Sequence, residues 1–163
     1  MPFDSRLILD RFLTAADYRF GPAHTELIVT AKGPKIVESQ ARLGGDRIPA
    51  IVEAATGVAM EDEVFRLLKG EAPTSPRPLG VSLVHFFQYE PGKVASVTGV
   101  EDAAAMPEVR LIEWKLKPGD VVPATVDSST RYGCIVVAGE SHEDANRALE
   151  AALARIDVRM EPH

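Results

Sequence analysis

The 163-residue chain carries 24 acidic against 18 basic residues, for a net charge of −6 and no basic cluster, which excludes the electrostatic footprint of a nucleic-acid binder. At that length a core can form without disulfide staples, and the lone Cys134, inside the apolar run YGCIVVAG, cannot form an intrachain disulfide and packs as a small hydrophobe. Such a thiol points to a reducing, cytoplasmic setting; the opening MPFDSRLILDRFL has acids among its apolar residues, unlike a secretion signal, and no apolar run is long enough to span a membrane.

Arg6 to Tyr18, RLILDRFLTAADY, repeats apolar residues at helical spacing and predicts a helix. AHTELIVT and KIVESQA predict two strands, with AKGP as the turn between them. Asp46, after Gly44 and Gly45, is the expected N-cap of a helix RIPAIVEAAT that Gly57 stops, and EDEVFRLLK predicts a second short helix. Gly70 to Gly80 holds three prolines and no periodicity, which marks a linker.

Beyond it, VSLVHFFQY, KVASVTGV, EVRLIEWKL, VVPATV and RYGCIVVAG predict strands, and EPGK and KPGD predict turns. An antiparallel meander is the simplest way to join them. Ser141, with Asp144 three residues on, opens an amphipathic helix through Ile156, and DVRM predicts a short last strand that rejoins the sheet. The expected fold is therefore α+β, mainly antiparallel sheet with flanking helices. Residues 1–70 form its first segment, 71–80 the linker and 81–163 a C-terminal α+β subdomain.

Side chains alternate across a strand, so Glu38, Gln40 and Arg42 share one face. With a three-residue loop, Ala31 to Gly33, Thr30 opposes Pro34, Ile28 opposes Ile36 and Glu26 opposes Glu38. Facing carboxylates repel unless a positive group sits between them. A two-residue turn would shift the register and send Glu38 to the other face. A hard divalent cation explains the arrangement, because magnesium is held by one or two protein oxygens together with substrate phosphates. Glu26 and Glu38 are the candidate metal and phosphate-side ligands, the Gln40 amide oxygen is a neutral third ligand, and Arg42 can grip a carboxylate or phosphate in bidentate fashion. By spacing alone, Arg42 can equally neutralise one acid in a weak surface ion pair. Gly44 and Gly45 can present backbone amides to an anion or merely make the turn. His24 is read as a polar residue beside the substrate, with no proton-transfer role.

The stretch HTELIVTAKGPKIVESQARLGGDRIPAIVEAATG resembles the C-terminal part of the ATP-grasp carboxylate–amine ligases. There, an acid, a second acid twelve residues later, then an asparagine and an arginine at alternate positions form the magnesium and substrate site. RLGGD and RYGCIVVAGESHEDANRALEAALARI are similar to the L-amino-acid-ligase-like branch. The resemblance implies Mg2+ and ATP as cofactors, with Glu26, Glu38 and Gln40 on the metal, Arg42 on the substrate carboxylate or acyl phosphate, and Gly44, Gly45 and His24 at the substrate. Gln40 departs from the asparagine of many members and extends the amide by one methylene.

Such ligases also carry an N-terminal domain, a lysine-bearing nucleotide subdomain and a glycine-rich lid, none of which this chain contains. The resemblance thus implies the last third of an enzyme that phosphorylates a carboxylate and ligates it to an amine, completed by an N-terminal half or subunit. The second expectation is a stand-alone, non-catalytic module for oligomerisation or small-ligand binding, most simply a homodimer, because a large exposed apolar face marks an interface. The phenylalanines of HFFQYE and Trp114 are read as packing residues, and Arg131 in DSSTRYG as a loop residue within reach of a substrate. Neither Ser128 nor Cys134 has an identifiable base, so no nucleophile is expected.

Overall fold

The computed structural model describes residues 5–124 and 127–161. They form an α+β fold in which all strand pairings are antiparallel. Contacts divide the chain into two compact units: Met1–Pro49 with Met60–Thr74, and Ala50–Ala59 with Ser75–His163.

The first unit holds α1 (Ser5–Ala15), the hairpin β1 (His24–Thr30) and β2 (Gly33–Gln40), and α3 (Met60–Leu68). After α1 the chain turns through Asp17, whose φ is 52°, and the Tyr18 hydroxyl donates to the Pro22 carbonyl at 2.9 Å. That bond sets the entry into β1. Phe12 and Leu13 of α1 and the following Ala16 line a small hollow with Ser39 of β2 and Ala41 just after it. α2 (Ile48–Thr56) starts one residue later than the sequence suggests. Asp46 is not an N-cap in the usual sense, since its φ of 48° is left-handed whereas a capping residue is extended; Arg47 follows at 64°. Gly57, at φ 72°, does end α2, its amide bonding the Glu53 carbonyl at 2.7 Å.

The second unit takes most of α2, then β3 (Val81–Phe86), β4 (Gly92–Thr98), α4 (Val100–Ala104), β5 (Val109–Trp114), β6 (Val121–Val122), β7 (Gly133–Gly139), α5 (His142–Leu153) and β8 (Asp157–Met160). The expected meander is wrong. The strand orders are β3-β7-β5 and β6-β4-β8, so β7 enters between two strands far earlier in the chain, and β8 pairs with β4. The cause is burial: CIVVA in β7 is the most apolar run, and only a central strand hides both of its faces. Cys134, Ile135, Val136 and Val137 are fully buried. The short helix α4 was not foreseen, being too brief to show periodicity. VVPATV shrinks to Val121–Val122, and its residues 125–126 lie outside the described ones.

α5 is capped as expected: the Asp144 amide donates to the Ser141 hydroxyl at 3.1 Å. Its buried face is Ala145, Ala148 and Ala152, small residues that let the helix settle on β7. Ile135 and Val137 join Phe87, Ala103, Ala148 and Ala152 in one apolar cluster, and Val94, Leu116 and Val122 form another. Trp114, Tyr89 and Tyr132 pack against both. The Trp114 indole donates to the Leu116 carbonyl at 2.7 Å, which leaves its ring apolar toward Phe87, 4.8 Å away between centroids. Arg131 stacks its guanidinium 4.0 Å from the Phe86 ring centroid.

Gly133 opens β7 at φ 117°, and a Cβ there would lie 1.9 Å from the Glu113 carbonyl oxygen. Gly133→Ala is expected to cost at least about 2 kcal/mol, from the left-handed backbone plus displacement of β5, read as a lower midpoint in urea. Burial pushes the Tyr89 phenol up to about 12 from 10.0. The folded form therefore resists ionisation, so its contribution to stability is intact below pH 10 and is lost as pH rises toward 12. Tyr89→Phe should flatten that alkaline decline in a denaturation series across pH.

Candidate metal and carboxylate site

The hairpin reaches the expected face by an unexpected route. The β1–β2 turn has two residues, Ala31 and Lys32, so Thr30 pairs with Gly33, Val29 with Pro34, Ile28 with Lys35 and Leu27 with Ile36. The three-residue loop and the pairs Thr30–Pro34 and Ile28–Ile36 are therefore corrected. Threonine favours the tighter turn: its hydroxyl donates to the Gly33 carbonyl at 2.7 Å and accepts from the Lys32 amide at 3.1 Å. Left alone, this register would put Glu38 on the wrong face. A bulge between Glu26 and Leu27 restores it, because Val37 is the extra residue of β2, and Glu26 pairs with Glu38 after all. Thr25 and Ser39 then meet on the other face, their hydroxyls 2.8 Å apart, and His24 opposes Gln40.

One surface of the hairpin thus carries His24, Glu26, Glu38 and Gln40, with Arg42 just beyond. His24 Nε2 lies 3.3 Å from Glu26 Oε1, and Gln40 Nε2 donates to Glu38 Oε1 at 3.2 Å. Arg42 Nε donates to Gln40 Oε1, and its Nη1 donates to the Leu43 carbonyl at 2.8 Å. Gln40 therefore turns its nitrogen to the acids and gives its oxygen to Arg42, the reverse of the orientation expected for a neutral metal ligand. Among the described residues no lysine or arginine forms an ion pair with Glu26 or Glu38, and Arg42 pairs with no carboxylate. The simple surface ion pair is thus not what the hairpin makes. It holds two carboxylates opposite each other, Glu26 beside His24 and Glu38 accepting from Gln40, with a guanidinium one step away.

The donor set suits a divalent cation. One ligand atom from each of His24, Glu26 and Glu38 lies within 4.8 Å of the others, and Glu26 and Glu38 are exposed, so an ion there can keep waters and phosphate oxygens as further ligands. The two glycines differ in what they do. A Cβ on Gly44 would come within 2.9 Å of the Ile48 side chain, so this glycine is needed for packing at the start of α2. Gly45 is exposed, and a Cβ there would stand 3.9 Å from Arg42 Nη1, so its backbone borders the guanidinium.

The comparisons with known proteins give first the fold and then a more particular likeness. The solved structure of phosphoribosylglycinamide synthetase from Anaerococcus prevotii superposes with a TM-score of 0.82 at 14% identity, over 99% of this chain and 44% of that one. The L-amino acid ligase from Bacillus licheniformis gives 0.75 at 22% identity, over 99% and 43%. The chain has the fold of the C-terminal part of the ATP-grasp ligases. Residues 85–161 match the family L-amino acid ligase C-terminal domain 2, which is the branch that the sequence resembles. The protein y4rH of Sinorhizobium fredii, described as uncharacterized, is 27% identical over 157 residues, 95% of this chain. The chain spans 33% of that relative's length and less than half of either solved chain.

If the facing carboxylates repel, neutralising one stabilises the cation-free hairpin. Glu38→Gln should raise stability by about 0.5 kcal/mol in EDTA, in the range of cross-strand pair effects. The same variant should lose the stabilisation that a divalent cation gives the unaltered protein in matched thermal melts.

Proposed function

We propose that this chain is the metal- and carboxylate-holding C-terminal portion of an ATP-dependent carboxylate–amine ligase, incomplete by itself and completed by an N-terminal half or subunit. The observation that carries the reading is the bulge at Val37, which spends a ladder irregularity to bring Glu26 and Glu38 face to face. A hairpin free of that duty is more stable without it. In this reading Glu26 and Glu38 hold Mg2+ together with nucleotide phosphates. The ion supplies charge neutralisation for phosphoryl transfer from ATP to the carboxylate.

Arg42, oriented by Gln40 and the Leu43 carbonyl, fixes the substrate carboxylate and then the acyl phosphate, two planar or tetrahedral oxyanions that a guanidinium fork fits. The Gly45 backbone, beside that fork, shares the work of holding the substrate, and Gly44 shapes the turn that presents it. An amine then attacks the acyl carbon and phosphate leaves. The substrate is a small carboxylate or amino acid, and a reducing cytoplasm agrees with the buried Cys134, which forms no disulfide. No helix among the described residues is long and apolar enough to cross a membrane.

The exposed side chains of the first unit support the need for a partner. Ile28, Val29 and Val37 on the hairpin and Phe65 and Leu68 on α3 are all more than half exposed, and neither β1 nor β2 pairs with a further strand among the described residues. A two-stranded sheet is marginal alone. The same exposure favours the second reading, a non-catalytic module whose apolar surface is covered by another copy of the chain.

Titration calorimetry of the chain with Mg2+ and ATP, beside Glu38→Ala, separates the two. The ligase reading expects heat that Glu38→Ala abolishes, and ADP release once an N-terminal half and amino acids are supplied. Silence in both proteins, together with a dimer in sedimentation, would leave the module.

A further inference from the structure

The geometry points to His24 as a nitrogen ligand of the cation, making a His–Glu–Glu site that takes a transition divalent cation such as Mn2+ in preference to Mg2+ and binds it without nucleotide. This rests on the reading of Glu26 and Glu38 as metal ligands and moves His24 from the substrate side to the metal.

Alternation along β1 places His24 on the same face as Glu26, and cross-strand pairing places it opposite Gln40. Its Nε2, not merely its ring, is turned to the acid, at 3.3 Å from Glu26 Oε1. Neighbouring ligands on an octahedral ion with bonds of about 2.1 Å stand about 3.0 Å apart, and opposite ligands about 4.2 Å. The 3.3 Å pair already stands near the spacing of neighbouring ligands, and the other separations, none above 4.8 Å, close onto one ion with shifts of about an ångström or less for each atom.

Burial distinguishes the imidazole from the carboxylate beside it. The His24 side chain is 16% exposed and that of Glu26 is 53% exposed, so the imidazole is the fixed wall of the site and the carboxylate the adjustable one. Gln40, opposite His24, spends its oxygen on Arg42 and leaves the third protein position to the nitrogen.

Charge and softness then select the ion. A neutral imidazole with two carboxylates balances the charge of a divalent cation, whereas a third acid would overcompensate it. Oxygen-only sites suit magnesium; replacing one oxygen by imidazole raises affinity along the series from manganese to zinc without a matching gain for magnesium. Of these ions, Mn2+ also accepts the phosphate oxygens that the ligase reading requires.

Mn2+ added to the full chain without nucleotide reports the site by two readouts: loss of the free-ion electron resonance signal gives the affinity, and electron spin echo modulation shows whether nitrogen is bound. The expected result is tight Mn2+ binding with nitrogen modulation. Both His24→Ala and His24→Asn should lose the modulation and at least about tenfold in affinity, since even outer-shell partners of metal ligands are worth about 10- to 100-fold. His142→Ala should keep both, and circular dichroism should show the His24 variants folded. Mn2+ that binds through Glu38 without nitrogen modulation, or with modulation that survives in the His24 variants, overturns the proposal and leaves the paired acids standing. Absence of any Mn2+ binding without nucleotide overturns it, whereas the reading of Glu26 and Glu38 as ligands shared with nucleotide phosphates is decided separately by the titration with Mg2+ and ATP.

Discussion

The repulsion between Glu26 and Glu38 is the constraint around which the first unit is arranged. Two carboxylates directly across an antiparallel ladder destabilise it, and a register shift of one residue would separate them. The chain has that shift available, because the turn is the tight two-residue form with the Thr30 hydroxyl bonded on both sides. Val37 undoes it. Inserting one residue into β2 returns Glu38 to the face of Glu26 and leaves Val37 itself half exposed. A bulge also increases the local twist of the strand that carries it.

From that pairing the rest of the polar face follows as a relay. Gln40 bonds Glu38 through its nitrogen and Arg42 through its oxygen, so one amide sets both an acid and a base. The two methylenes of the glutamine let its amide span the acid and the base. Arg42 is held by the Leu43 carbonyl as well, so its orientation does not depend on neutralising an acid. A negative pair and an oriented positive group side by side can take a cation and an oxyanion together, the combination present in a metal–phosphate–carboxylate complex.

The second unit is built on a different principle. Burial of β7 on both faces decides its topology, with α5 presenting alanines so that the helix backbone comes close. Gly139 marks that approach: a Cβ there would lie 2.5 Å from the Ala145 amide nitrogen. Tyr89, Tyr132 and Trp114 pack against both apolar clusters, and Phe87 lies inside one of them, so these members of HFFQYE and its surroundings are packing residues. Arg131, a loop residue within reach of a substrate by sequence alone, lies over the Phe86 ring.

The sequence by itself determined the elements whose signals are local. The capped α5, the stop of α2 at Gly57, the two strands around AKGP and the apolar CIVVA run were all readable, because caps, turns and periodicity are written over a few neighbouring residues. It also determined that Glu38 and Gln40 share a face, since strand alternation needs no partner, whereas Arg42 lies past the end of β2 and stands beside them through its bond to Gln40. Tertiary structure alone decided which strands are neighbours, because β7 finds β3 and β5 by burying both faces and chain order carries no such information. It likewise decided the path to the facing acids. The spacing of Glu26 and Glu38 fits either a longer loop or a tight turn plus a bulge, and only the hydrogen bonds of Thr30 and the packing of the hairpin choose between them. The inward turn of His24 Nε2 belongs to the same class of fact, as a rotamer set by neighbours that the one-dimensional chain does not name.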